Sequence, residues 1–164
     1  KDDNGDSTQL SYEYAVFEDR KSAGTDGGTF NSGSWVTRDL NTEVETRGSS
    51  ITLNTLTGVI TLDKGTYKII GSAPGHRVDN HKARLRQTNN TPATVIYGTT
   101  EKAGNGSNVQ TRSMMNGIIN VSQDGTTFEV QHRCESNQTD DGLGAAFDFG
   151  ETEVYSRIMI QKVR

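Results

Sequence analysis

Hydrophobic and polar residues alternate along short segments of the chain, and residues typical of turns separate these segments. In the first segment, Tyr12, Tyr14 and Val16 lie at every second position. A period of two places successive side chains on opposite faces, which is typical of a half-buried strand. Further strands are predicted at 35–40, around 51–53, and at 59–62, 66–73, 81–87, 93–98, 112–121, 126–135 and 152–163. These segments leave almost no room for a helix, so an all-β sandwich is predicted.

Breaks that contain glycine, asparagine or proline separate the later strands. The clearest break is Asp124-Gly125, which lies between the alternating segments 119–121 and 128–130. An Asp-Gly pair tolerates the positive φ angles of a tight turn, so this pair predicts a hairpin. The other breaks are Pro74-Gly75, 89–92, 103–106 and 136–150.

Only 30% of the 164 residues are hydrophobic, and the mean hydropathy is -0.70. Such a chain is either partly disordered, or folded with a polar surface and further burial between subunits. The regular segments contain aromatic residues, which favours one folded domain over residues 10–164 with a flexible lead-in at residues 1–9. A domain of this length is expected to bury a single core.

The formal net charge is -4, with an isoelectric point near 5.4. This balance disfavours general binding to nucleic acid or to an anionic membrane, because both attract basic proteins. No run of 18 apolar residues is present, so no membrane insertion is expected. Because the chain opens at Lys1 without Met, we interpret it as a processed protein or an excised domain. The lone Cys134 alternates with Phe128 and Val130, so a buried, unreactive thiol is expected.

A series of motifs follows these strands in a fixed order. The second half contains Gly65-x-Tyr67-x-Ile69, Ala83-x-Leu85, the segment 113–117, the Asp124-Gly125 hairpin, Phe128-x-Val130 and Glu153-x-Tyr155-x-x-Ile158. The first half contains residues 15–20 (AVFEDR), 24–28 (GTDGG), 32–35 (SGSW) and 38–42 (RDLNT). The series covers about residues 10–163 and resembles the jelly roll of the tumour necrosis factor and complement globular-head superfamily. The first-half motifs are most similar to the versions in phage tail-fibre and structural proteins.

This resemblance implies a ten-stranded antiparallel jelly-roll sandwich, similar to tumour necrosis factor, that assembles as a tight homotrimer. It also implies a role in recognition at the tip of a fibre or similar surface projection. The superfamily has no common catalytic residues, so none can be carried over to this chain. Neither a Ser/His/Asp or Cys/His set nor a metal, phosphate or dinucleotide motif is present in the sequence. No enzyme activity, metal or cofactor is therefore expected.

The resemblance also places both termini at the base of the sandwich and the opposite strand ends at an apex. The apex is then expected to receive the loops 74–80, 100–109 and 135–150, and the base 89–92 and 122–125. Polar loop residues can bind sugar hydroxyls or a carboxylate, although each could equally be a solvated turn residue. The expected ligand contacts are His76, Arg77, Asp79, Asn80, His81, Glu101, Lys102, Asn105, Asp140 and Asp141.

Three further features have both a binding and a structural interpretation. Lys82, Arg84 and Arg86 share one strand face and could hold an acidic polysaccharide, but an outer sheet face or a rim of inter-subunit ion pairs is favoured. Trp35 could stack on a sugar, but a position in the core or at a trimer interface is favoured. The carboxylates at 140–141 could help to bind calcium, but a solvated loop is favoured.

Two functions from different classes are compatible with these observations. The favoured function is a non-catalytic receptor-binding domain, or adhesin, at the tip of a trimeric phage tail fibre or similar extracellular fibre. Its partners would be two further copies of itself and a host cell-surface glycan or protein. The alternative is a structural module that trimerises or caps a fibre or a polysaccharide depolymerase and has no ligand of its own.

Overall fold

The computed structural model describes residues 12–164, which form eleven strands and no helix. The predicted lead-in at residues 1–9 lies outside the described residues. Over the described part, no helix is long and apolar enough to cross a membrane. The strands are β1 (Glu13–Lys21), β2 (Val36–Thr37), β3 (Thr42–Arg47), β4 (Ile51–Asn54), β5 (Val59–Leu62), β6 (Gly65–His76), β7 (Asp79–Gln87), β8 (Ala93–Ala103), β9 (Gln110–Val121), β10 (Thr126–Cys134) and β11 (Glu153–Lys162).

The strands form two antiparallel sheets that pack face to face. The five-stranded sheet has the order β3-β1-β11-β6-β9, and the six-stranded path contains β4-β5-β10-β7-β8, with the short β2 paired to β10. Non-consecutive neighbours such as β11 and β6 show that the chain crosses repeatedly between the sheets, as in a jelly roll. Since β2 has two residues, the described chain has ten strands of four residues or more. The predicted all-β antiparallel jelly-roll sandwich is confirmed.

Alternation in the sequence found most of these strands but missed β3. The only hydrophobic residue of β3 is Val44, which is 41% exposed, so the strand has no buried face to produce a pattern. Its pairing with β1 places it at the edge of the five-stranded sheet. The predicted hairpin is confirmed, because Gly125 connects β9 to β10 with a φ angle of 69°.

The core lies between the sheets, where the inward side chains of both meet. Its largest members include Phe17, Tyr67, Leu85 and Phe128, each at most 1% exposed. A smaller cluster of Phe30, Val78, Ala103 and Cys134 lies at one end of the sandwich. Cys134 is 4% exposed, and burial raises the pKa of its thiol to about 11. The expected burial of this thiol is confirmed.

Connections from both sheets meet at the end of the sandwich that we call the apical end. They are 22–35, 77–78, 104–109 and 135–152. Backbone hydrogen bonds join them, from Gly27 N–H to the Gly144 carbonyl at 2.7 Å and from Arg77 N–H to the Val109 carbonyl at 3.1 Å. The opposite, basal end receives Asp124 and the C-terminal Arg164, which accept hydrogen bonds from Lys64 and Thr66. The loops are therefore grouped at the two ends as expected.

The lengths of two apical loops differ from the prediction. β6 extends through Pro74 to His76 and β7 begins at Asp79, so only residues 77–78 connect them, not 74–80. β11 pairs with β6 only as far as Ser72, and proline is tolerated in a strand portion that lacks a neighbour on one side. Similarly, β8 continues to Ala103, so the next loop is 104–109 and not 100–109.

A buried guanidinium holds the apical end together. Arg38, in the connection between β2 and β3, is 1% exposed. Its Nε donates to the Ser156 hydroxyl at 2.8 Å, and its two Nη atoms donate to the carbonyls of Leu143 at 2.7 Å and Pro74 at 3.3 Å. Burial lowers the pKa of Arg38 to about 10, while the neighbouring Asp19 carboxylate raises it. The group therefore stays charged at neutral pH and links three separate segments.

We predict that Arg38→Ala destabilises the domain by about 3 kcal/mol, because it leaves buried carbonyls without a donor. Chemical denaturation of the purified protein would measure this change. Arg47→Ala is the matched control, because Arg47 is exposed at the end of β3 and should change stability by less than about 0.5 kcal/mol. Equal stability of the two variants would contradict this account of Arg38.

Candidate functional site

The Asp79 side chain joins three apical connections. Its Oδ1 accepts a hydrogen bond from the backbone N–H of Asn105 at 3.0 Å, and its Oδ2 accepts one from the Ser136 hydroxyl. The Ser136 bond, followed by the Asn105 bond, lowers the pKa of Asp79. Arg77 and Asp79 have φ angles of 55° and 56°, left-handed conformations that turn the chain from β6 into β7. This carboxylate braces the apical end.

His76 and Asp141 come together from distant parts of the sequence. His76 Nδ1 lies 3.1 Å from Asp141 Oδ2 without hydrogen-bond geometry, and its Nε2 lies 2.8 Å from Asn108 Oδ1. Gln138 donates to the other Asp141 oxygen at 2.6 Å. His76 is only 3% exposed and borders a small apical cavity of about 280 Å³ that Phe147 also lines. These contacts fasten the 135–152 connection to the end of β6.

The remaining predicted contacts divide between the interior and the surface. His81 is 3% exposed, while Glu101 is half-buried and accepts a hydrogen bond from Thr99 at 2.6 Å. The exposed members are Asn80, Lys102, Asn105 and Asp140. Among residues 12–164, no group of three or more His, Cys, Asp or Glu side chains is placed to hold a metal ion.

A larger cavity lies on the outer face of the six-stranded sheet, beside the apical end. Its volume is about 480 Å³, within the range typical of small-molecule sites. Its lining includes Trp35, Asn80, Lys82, Thr100, Arg133 and Glu135. We call this cavity the Trp35 groove. Of the predicted site residues, the structure brings Asn80 and His81 to this groove, with the buried His81 beneath it.

The indole of Trp35 is fixed in position on the sheet surface. The Arg84 guanidinium lies 3.8 Å from the ring centroid, in cation–π contact. Arg84 in turn donates two hydrogen bonds to Gln131 Oε1, at 3.0 and 2.7 Å. The favoured core position for Trp35 is wrong, because the residue is half-buried and lies outside both hydrophobic clusters. The trimer-interface position stays a prediction.

The cationic residues of β7 lie on the outer sheet face, as favoured from the sequence, but they differ in their partners on β10. Arg86 lies opposite Glu129, and Arg84 lies opposite Gln131. Lys82, in contrast, lies opposite Arg133, so two cations are cross-strand neighbours beside the groove. The sequence pattern marked the first three cations but not Arg133, because the register between β7 and β10 is a long-range property.

Comparisons with known proteins identify the fold. No family model matches the chain, and no curated protein matches it by sequence. Among solved structures, murine APRIL superposes with a TM-score of 0.61 at 12% identity, covering 93% of this chain and 98% of that chain. The globular domain of zebrafish complement 1qA gives 0.56 at 13%, covering 94% and 97%. PRD1 vertex protein P5 gives 0.51 at 14%, covering 93% and 97%. The chain has the TNF-like jelly-roll fold that its motifs resemble.

A pair of histidines is buried beneath the Trp35 groove. His81 Nδ1 lies 2.9 Å from His132 Nε2, and His81 Nε2 lies 2.8 Å from the Thr111 hydroxyl. Burial lowers the pKa of His81 to about 4 and lowers the pKa of His132 well below its usual value. Both rings are therefore neutral at pH 7, with one ring nitrogen donating to the other.

We predict that this histidine pair makes the domain less stable as the pH falls. Between pH 6.5 and about 4 the histidines bind protons in the unfolded chain but stay neutral in the folded chain. The free energy of unfolding therefore decreases as the pH falls. The slope should reach up to about 1.4 kcal/mol per pH unit for each histidine. Denaturation at a series of pH values would measure it. A double variant, His81→Gln with His132→Gln, should lose most of this slope, and an unchanged slope would refute the assignment.

Proposed function

We propose that this chain is a non-catalytic recognition module that assembles as a homotrimer on a surface projection, such as a virion fibre or vertex or a bacterial surface fibre. It would recognise a cell-surface glycan or protein. The observation that carries the proposal is the difference between the two outer faces of the sandwich. One face is apolar enough for self-association, and the other is polar and contains the Trp35 groove.

The outer face of the five-stranded sheet presents a row of hydrophobic side chains. Val16 on β1 lies opposite Met159 on β11, which lies opposite Ile70 on β6. Met114 and Ile118 on β9 extend the apolar surface and are 39% and 68% exposed. Exposed hydrophobic side chains grouped on one sheet face favour burial between subunits. A second and third copy of the chain are the occupants that the resemblance to trimeric jelly rolls implies.

The remaining surface supports recognition. The outer face of the six-stranded sheet presents Lys82, Arg84 and Arg86, and the apical end presents exposed polar side chains such as Lys102 and Asp140. In a trimer packed through the five-stranded sheets, both regions would face outward in three copies. Three weak sites can raise avidity by about 10² or more when the target is multivalent.

Catalysis is not part of the proposal. Cys134 lies opposite His81 on the neighbouring strand and two residues after His132 along β10, so these residues could be taken for a cysteine–histidine pair. Nucleophilic cysteines need a lowered thiol pKa and a histidine that accepts or stabilises the proton. Here burial raises the pKa of the thiol and lowers that of both imidazoles, so a thiolate–imidazolium pair is disfavoured.

The setting on a virion has two sources of support. The first-half sequence motifs resemble phage fibre and structural proteins, and PRD1 vertex protein P5 has a similar fold. The net charge of -4 argues against nucleic acid as the partner.

A glycan array probed with the purified domain separates recognition from a purely structural role. Saturable binding supports recognition, whereas a trimer that binds neither glycans nor intact host cells would be a capping module.

We predict a mass in solution of about three times 17.9 kDa, measured by light scattering at micromolar protein. Ile118→Lys should shift this mass to that of the monomer, because burying a lysine in each subunit contact costs several kcal/mol. Leu56→Lys is the matched control, since Leu56 is 94% exposed in the turn between β4 and β5 and should leave the mass unchanged. A folded monomer for the unaltered chain would overturn the proposed assembly.

A further inference from the structure

We infer that the Trp35 groove binds an acidic saccharide, with a sugar ring against the Trp35 indole and its carboxylate between Lys82 and Arg133. The inference rests on the proposed recognition function and names both its ligand class and its site. It places the ligand on the outer wall beside the apical end, whereas three of the residues expected from the sequence to bind it, His76, Asp79 and Asp141, brace the apical connections. Three independent features of the groove support it.

The first feature is an aromatic surface that is positioned before any ligand arrives. Gln131 accepts two hydrogen bonds from Arg84, and its amide donates to Glu129 at 2.8 Å. Glu129 also accepts a hydrogen bond from the Thr37 hydroxyl at 2.8 Å. These linked hydrogen bonds hold in place the Arg84 guanidinium, which lies on the Trp35 ring. A fixed ring loses little conformational entropy on binding, and an apolar ring face suits the C–H face of a sugar.

The second feature is a pair of cations without an acidic partner. Within residues 12–164, neither Lys82 nor Arg133 forms an ion pair or a hydrogen bond with an acidic side chain, although Lys82 Nζ lies 5.8 Å from the Tyr97 ring centroid. Like charges directly opposite each other on neighbouring strands are unfavourable. A carboxylate bound between them would remove this repulsion and gain charge-assisted hydrogen bonds.

The third feature is the state of the one acidic residue in the groove. Glu135 is bonded to Asn80 and to neither cation, because its Oε2 accepts hydrogen bonds from the Asn80 side-chain amide at 2.6 Å and from the Asn80 backbone N–H at 3.3 Å. The Thr100 and Ser32 hydroxyls complete the lining and can bond to sugar hydroxyls. The groove therefore combines an apolar plane, two cations, one acidic side chain bonded to Asn80, and neutral hydrogen-bonding groups. Because its cations outnumber its acidic side chain, it fits an acidic sugar better than a neutral one.

Trp35 is the only tryptophan of the chain, so its fluorescence reports on the groove directly. The probes are oligosaccharides that contain glucuronate, galacturonate or N-acetylneuraminate, each with a matched neutral oligosaccharide and a sulfated one. At least one carboxylated probe should change the fluorescence with a dissociation constant near or below about 1 mM, and its neutral match should bind at least tenfold more weakly. Raising the salt from about 50 to about 300 mM should weaken binding. The inference fails if no carboxylated probe binds, if the neutral match binds equally well, or if only the sulfated probe binds.

Two charge variants test the position of the site. Lys82→Gln together with Arg133→Gln should weaken binding of the carboxylated probe at least tenfold and remove most of its salt dependence. Arg86→Gln is the matched control, because Arg86 lies on the same face of β7 but opposite Glu129 and outside the groove lining. It should bind within twofold of the unaltered protein. An unchanged affinity in the double variant, or an equal loss in the control, would overturn the placement.

The outcome of these titrations is separable from that of the proposed function. If the acidic probes fail while the trimer binds a neutral glycan or intact cells, recognition stands and the Trp35 groove is not its site. Both charge variants change only side chains on the sheet surface, so their melting temperatures should match that of the unaltered protein. Melting curves recorded beside each titration check that a loss of binding is not a loss of fold.

Discussion

The arrangement of the apical end depends on the buried guanidinium of Arg38. It bonds to Ser156 on β11, to Pro74 on β6 and to Leu143 in the 135–152 connection. A charge in the interior is tolerated only where such donors and acceptors are satisfied, so the three segments and the cation hold one another in place. The same 135–152 connection contains Asp141, which approaches His76. Asp79 at the start of β7 then bonds to Asn105 in the 104–109 connection and to Ser136 in the 135–152 connection, so these apical segments are braced together.

The chain has few hydrophobic residues, and most of the large ones are buried in two clusters. One inter-sheet core and one small apical cluster take up most of the large hydrophobic residues. Three of the exposed exceptions, Met114, Ile118 and Met159, lie on the face assigned to self-association, and others such as Leu56 and Phe149 lie elsewhere. The opposite sheet can then present charged and polar side chains without weakening the core, which is where the Trp35 groove lies.

Sequence alone predicted the layers of the fold but only part of the candidate site. Alternation and the Asp124-Gly125 turn depend on local residues, so they identified most strands and a hairpin, whereas β3 has no buried face and was missed. Loop ends were misplaced because Pro74 suggested a break where β6 lacks only one neighbour. The contact of Trp35 with Arg84 and the position of Lys82 opposite Arg133 depend on register and side-chain placement, which single-sequence patterns do not specify.

The bracing role of Asp79 constrains how this protein could adapt to a changing target. In many binding proteins new specificity arises by lengthening or shortening loops. Here an insertion near Asn105 or Ser136 would displace a group that bonds to the Asp79 carboxylate, and the disturbance would spread through the other apical connections. Side chains that point outward from β7 and β10 do not bond to the Asp79 carboxylate, so changing them would leave the apical connections in place. Diversification among related chains should therefore proceed by point substitutions on the strand faces, with the apical loops kept at constant length.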